Sequence, residues 1–149
     1  MKLNPGESII LEKDIGIAIF TKFLGFWVRN RHSFLVKIYL TNSRLYVEQM
    51  GFCLYNIALQ RIQNVMVGAP ATSSSFLDFL SAFLFVFNSP LMALPRTLDM
   101  KRGVSIQFKI EKGSPNPVAR GRLVTLFLDA RDDTDLWFRK IQETRSART

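Results

Sequence analysis

The sequence predicts a mainly β fold, and three observations carry that expectation. In Phe34 to Glu48, FLVKIYLTNSRLYVE, Phe34, Val36, Ile38 and Leu40 alternate with Leu35, Lys37, Tyr39 and Thr41, the period of a strand with one core-facing side. After Asn42-Ser43 the alternation resumes, with Leu45 and Val47 against Tyr46 and Glu48. Val104 to Glu111, VSIQFKIE, repeats the pattern with Val104, Ile106, Phe108 and Ile110 on one side. The third observation is at the C-terminus, where Thr134, Trp137, Phe138 and Ile141 form one stripe at helical spacing. The expected chain is six or seven strands closed off by one amphipathic helix.

Each element follows from local chemistry. Asn4-Pro5-Gly6 is a turn, and Glu7 to Glu12 is expected as a strand, interrupted at Lys13-Asp14 by a bulge. Ile15, Ile17 and Ile19 then alternate with Gly16, Ala18 and Phe20, and the small residues imply close approach by a neighbour. Asn42-Ser43 is expected as a tight turn, because Asn tolerates the left-handed conformation. Phe52 to Gly68 holds two apolar pieces, around Ile57-Ala58-Leu59 and from Ile62 to Val67. Lys112 to Gly121 is a loop by its Gly and Pro content. Arg122 to Asp129 is the last strand; its apolar residues fall on both sides, so its outer face needs a cover, and the C-terminal helix is the candidate. That helix is expected to start at an Asp132 N-cap, with Asp133 and Asp135 in its first turn and Arg139, Lys140 and Arg145 towards its end, the charge order that suits a helix dipole.

Length and composition bound the function. At 149 residues, 48% hydrophobic and 21% charged, the chain is expected to be one folded domain, 1–149. A net charge of +8 favours an anionic partner, whether phospholipid headgroup, nucleic acid or acidic protein. A single cysteine, Cys53, leaves no intramolecular disulfide or multi-cysteine metal site, and lying between Phe52 and Leu54 it is expected in the core. The N-terminus has no run of signal-peptide length before Pro5-Gly6, and no uncharged apolar run reaches about 18 residues. The expected location is the cytoplasm, peripheral at the membrane if lipid is the partner.

Gly6-Glu7 opening a first strand, Tyr39-Leu40-Thr41-Asn42 running into Arg44-Leu45, Ile57-Ala58-Leu59 followed by Ile62 and Val65, and a last strand leading into a helix that carries Trp137 resemble the GRAM and bacterial PH-like domains of the PH-like superfamily. The resemblance covers roughly Pro5 to Thr144. It implies a strongly bent antiparallel barrel of about seven strands, with the C-terminal helix plugging one open end through residues such as Trp137 and Ile141. It also implies a non-enzymatic adaptor that binds lipid headgroups, proteins or copies of itself. The segment 71–95 departs from the pattern as a long apolar insert.

Two features carry the candidate sites. From Ile15 to Val47 the chain has five basic residues, Lys22, Arg29, Arg31, Lys37 and Arg44, and no Asp or Glu. Lys22 followed by Arg29-Asn30-Arg31 is similar to the basic pattern that cups inositol phosphates in PH domains, and Arg forks and Lys point charges both suit phosphate. Phe26 and Trp27 in the same region are suited to a bilayer interface or a partner. A solvated basic loop accounts for the same residues without a ligand. A second basic run, Lys101-Arg102, Lys109, Lys112, Arg120 and Arg122, contains only Glu111 as an acid; sharing a rim with the first run is an expectation of the barrel alone.

The second feature is the insert. Ser75 and Asp78 make an approximate capping box, and Phe76, Leu77, Phe79, Leu80, Phe83, Leu84 and Phe87 cover most of a helix over Phe76 to Phe87, roughly 18 Å long. A small barrel fills its own interior, so this surface is expected to meet a membrane, a partner or a second copy through Phe76, Phe79, Phe83 and Phe87, or to pack over the barrel. A buried strand remains the alternative, given Phe85-Val86-Phe87.

Catalysis has little support. His32 is the only histidine, the carboxylates at Asp132, Asp133 and Asp135 suit a helix start, and no phosphate-cradling glycine motif or nucleophile signature is present. No metal or other cofactor is expected. Nucleic acid is an unfavoured partner, since the interleaved Arg and aromatic residues match no recognised motif. Two readings stand: a lipid- or protein-binding module working through residues 22–37, and a structural self-assembly module forming a homo-oligomer through the Phe-rich insert.

Overall fold

The computed structural model describes residues 1–23, 26–29, 34–70, 99–110 and 123–148. Among these, the strands are β1 (Ile9–Phe23), β2 (Phe26–Arg29), β3 (Phe34–Thr41), β4 (Arg44–Gln49), β5 (Phe52–Ala58), β6 (Ile62–Val67), β7 (Val104–Lys109) and β8 (Leu123–Leu128), and helix α1 spans Thr134–Ser146. The spatial order is β5-β4-β3-β1-β8-β7-β6, with the short β2 folded back on β1, and every pairing is antiparallel. Among the described residues the fold is therefore mainly β, a path of seven antiparallel strands with the short β2 as an eighth beside β1, and a C-terminal helix, an arrangement consistent with the PH-like expectation.

β1 is the shared wall. Its Ile9–Ile17 stretch pairs with β3, Ile17–Thr21 with β8, and Phe20–Phe23 with β2. The expected interruption at Lys13-Asp14 is absent: both residues stay in register, opposite Ile38 and Lys37, and the irregularity lies earlier, between Ile9 and Leu11. Lys13 keeps the alternation, sharing the face of Ile15 and Ile38, and its half-buried ammonium pairs there with Asp133.

The main core forms on the concave face. Ile15, Ile17 and Ile19 meet Val36, Ile38, Leu40, Leu45, Val47, Ile106, Leu126 and Leu128, and α1 adds Trp137 and Ile141 to the same cluster. Helix α1 thus packs on the core face of the sheet and does not cover the outer face of β8. That outer face has a separate cluster, in which Ala18, Phe20 and Phe127 are buried and Trp27, Ala69 and Met100 pack against them. The small residues of β1 behave as expected: Ala18 is buried there, and the Gly16 carbonyl accepts the Asp129 amide at 2.8 Å.

Three local expectations are corrected. The Asn42-Ser43 turn exists, but Asn42 is not left-handed; its amide side chain accepts from Ser8 N at 3.3 Å and donates to Gly6 O at 3.1 Å. The left-handed residues fall in the next hairpin, Met50 at φ 50° and Gly51 at φ 81°. Asp132 is not the N-cap of α1. A 3-10 turn, Arg131–Asp133, precedes the helix, Asp133 occupies the cap without a side-chain cap bond, and Asp132 pairs with Arg102. Charged partners outside the helix compete successfully for both carboxylates. Cys53, finally, is exposed, because it lies opposite Glu48 on the outward side while Val47 and Tyr55 face in.

Candidate functional site

The pairing registers build a row of outward side chains where β1 ends. Inward residues of β1 are Ile15, Ile17 and Ile19, so Ala18, Phe20 and Lys22 point the other way. Lys22 is opposite Trp27 on β2. On the other edge of β1, Thr21 is opposite Val124, and Lys109 is opposite Leu123. Lys22 and Lys109 consequently flank Leu123 on one face, with backbones two strand spacings or about 10 Å apart. Both lysines are exposed. The Lys22 ammonium lies 5.8 Å from the centroid of the Trp27 ring, within the range of a cation–π contact. No carboxylate occurs on β2, β7, β8 or on β1 beyond Asp14.

Strand pairing thus joins one member of each linear basic run. It places Lys37, Arg44 and Arg102 elsewhere, while Lys112, Arg120 and Arg122 lie outside the described residues. Lys37 sits mid-strand, opposite Asp14 on one side and Glu48 on the other, so the run that is acid-free along the chain is flanked by acids in space. Its ammonium lies 5.8 Å from the Tyr39 ring. The Tyr39 hydroxyl donates to Glu48 Oε1 at 3.0 Å; burial, then this carboxylate, pushes its pKa up to about 12.

Arg44 lies at the opposite end of β1. Ile9 pairs with Thr41 there, thirteen residues before Lys22. Arg44 Nε donates to Glu7 Oε1 at 2.8 Å and Nη2 to Glu7 Oε2 at 3.0 Å and to Lys2 O at 2.7 Å. Its guanidinium also stacks 5.2 Å from the Tyr46 ring. Arg44, with Thr41 and Ser43 hydroxyls donating to the same carboxylate and the Asn4 amide to its other oxygen, holds Glu7 well below the usual range, at about 2, against the opposing effect of burial. The structure therefore spends Arg44 on tying the N-terminal segment to the β3–β4 hairpin and does not bring it to Lys22. In the second run, Arg102 is likewise taken, by Asp132 at the other end of β7.

Arg29 is placed by register opposite Phe20, two register positions from Lys22, and Phe26 opposite Phe23. Arg31 lies outside the described residues, as do Phe76, Phe79, Phe83 and Phe87. Two residues that sequence reasoning passed over stand out: Met50 and Phe52, 84% and 64% exposed at the β4–β5 turn. Their signal was available in the uncharged stretch from Gln49 to Gln60. Among the described residues no group of three or more His, Cys, Asp or Glu side chains is placed to hold a metal ion, and no helix is long and apolar enough to cross a membrane.

No family model and no curated protein matches this sequence. Among solved structures the chain is similar to the Slm1-PH domain, at 12% identity and a TM-score of 0.44, with 93% of this chain and 97% of that chain covered. The strand order and the C-terminal helix described above define a mainly β fold, one antiparallel sheet with a helix on its core face, that carries Lys22 and Lys109 on its outer face at one end.

Proposed function

We propose that this chain is a non-enzymatic binding module that attaches to acidic membrane surfaces, its Lys22–Lys109 face meeting phospholipid headgroups. The observation that carries the reading is the meeting of Lys22 and Lys109 on one face around Leu123, with no carboxylate on β2, β7, β8 or on β1 beyond Asp14. A lysine near an anionic leaflet contributes about 1 kcal/mol, and such charges add. Trp27, packed under the Lys22 ammonium, has the ring chemistry of the bilayer interface. Arg29, two register positions along β2 from Trp27, and Arg31 extend the same contact on this reading. Anionic lipid is concentrated on the cytoplasmic leaflet, so the protein works in the cytoplasm, peripheral at the membrane.

Sedimentation with phosphatidylcholine vesicles, with and without phosphatidylserine, tests this. Binding is expected only with the acidic lipid, weakening with salt. Replacing Lys22 and Lys109 by Glu together is expected to weaken it at least tenfold, taking about 1 kcal/mol for each lysine. Equal sedimentation with both vesicle types, or none, overturns the reading, and an acidic protein face then becomes the partner to seek.

A further inference from the structure

We infer that the tip of the β4–β5 hairpin, Met50 and Phe52, inserts into the apolar edge of an anionic bilayer after the basic face has docked, an inference that rests on the membrane reading above. Met50 and Phe52 are the two most exposed large hydrophobic side chains among the described residues, at 84% and 64%. Met50 is the first residue of the two-residue turn Met50-Gly51, and Phe52 follows that turn as the first residue of β5. Leu35, 39% exposed, lies beside them, since Gln49 Nε2 donates to the Leu35 carbonyl at 3.2 Å.

The backbone supplies a second, independent observation. Met50 is held at φ 50°, a left-handed conformation that Asn or Gly adopts more cheaply. A large apolar residue placed there contributes little packing to the fold, and local strain without a structural return points to function. Gln49 pairs with Phe52 across the turn, so the tip is a closed hairpin in which the backbone groups of that closing pair meet each other. That matters in lipid, where unsatisfied backbone groups are costly.

Charge decides the occupant. From Gln49 to Gln60 there is no Asp, Glu, Lys or Arg, so the tip can descend without dehydrating an ion. The nearest carboxylate, Glu48, is already engaged by the Tyr39 hydroxyl at 3.0 Å and the Met1 amine at 3.2 Å, and its side chain is 14% exposed. The C-terminal end of β4 adjoins the N-terminal end of β3, which pairs with β1 on the way to Lys22. Two side chains and a turn are far smaller than the roughly 1,000 Å² of a stable protein interface. They are sufficient as a shallow anchor that adds to headgroup electrostatics, about 5–10 Å deep. An anionic bilayer is thus the surface that suits both the basic face and the uncharged tip.

Cys53, exposed and the only cysteine, is a built-in reporter beside Phe52. The full chain labelled there with an environment-sensitive fluorophore is mixed with phosphatidylcholine vesicles with and without phosphatidylserine, some carrying spin-labelled acyl chains. The expected result is a blue-shifted emission, quenched by the spin labels, with the acidic vesicles alone. Met50→Ser with Phe52→Ser, both at solvent-facing positions, is expected to abolish the shift and to weaken sedimentation roughly tenfold or more. A second labelling site, Met50→Cys in Cys53→Ser, guards against a label that distorts the strand. Sedimentation with acidic vesicles while both labels stay in water overturns this inference and leaves the membrane reading standing. No sedimentation overturns both.

Discussion

Arg44 and Glu7 hold each other in a two-pronged ion pair, at 2.8 and 3.0 Å, with the Glu7 side chain only 2% exposed. This pair fastens the segment before β1 to the β3–β4 turn. Because Arg44 holds the Glu7 carboxyl down at about 2 from an ordinary 4.5, its contribution is fully present above the ordinary value and is lost as pH falls from about 4.5 towards 2. The expected size is about 2–3 kcal/mol. Arg44→Ala is expected to lower the urea midpoint near neutral pH and to flatten the acid side of the stability profile. An acid limb of unchanged slope in the variant would show that Glu7 is not its source. Vesicle binding is expected to survive this substitution wherever the protein remains folded.

Lys37 and Lys22 should separate in their effects. Lys37 lies between Asp14 and Glu48 across neighbouring strands, whereas Lys22 is opposite Trp27 on β2, a strand without an acid. Opposite charges directly across a sheet contribute roughly 0.2–1 kcal/mol. Lys37→Glu is expected to reduce thermal stability and to change vesicle binding little beyond its effect on net charge. Lys22→Glu is expected to do the reverse. Equal losses of binding from both reversals would mean that net charge, not the face around Leu123, drives attachment.

Gly103 has no room for a side chain. A β-carbon there would collide with the Leu128 carbonyl oxygen and with the Phe127 ring. Gly103→Ala is expected to cost about 1–3 kcal/mol, read as a fall in melting temperature. Adding Phe127→Leu should not restore stability, since the carbonyl clash remains and the outer cluster with Ala18 and Phe20 loses its ring. Full rescue by the second change would show that the ring alone sets the constraint.

For the self-assembly reading, the expected outcome is an oligomer by light scattering that dissociates when Phe83 and Phe87 are replaced by Ser. A clean monomer of 17.1 kDa at high protein concentration removes that reading.

The strands were legible where one face is buried and the other wet. Ile38, Leu45, Val47, Ile106 and Phe108 all lie in the main core, as period two required. Trp137 and Ile141 were legible from helical spacing, but the stripe alone pointed the helix at the outer face of β8; the family resemblance implied the core side that both residues join. The charges misled for a related reason. A run that contains no acid along the chain says nothing about the neighbouring strand, and Asp14 and Glu48 arrive beside Lys37 only through register. Lys22 and Lys109 meet by the same route, through pairings that join residues far apart in sequence. Cys53 was misplaced because the register shift between Val47 and Glu48 on β4 turns the start of β5 outward.

The two ends of the apolar segment are tied to each other before it begins. Gly68 N donates to Gly103 O at 2.8 Å and Ala69 N to Met100 O at 2.9 Å, so the chain departs and re-enters through one hydrogen-bonded gate. The ladder between β6 and β7 is therefore indifferent to how many residues lie beyond it, and the closure cost of a longer loop grows only as a logarithm of its length. This makes the gate a natural graft point, where a different peptide can be spliced in, or the native one exchanged between related sequences, without rewriting the barrel that carries it.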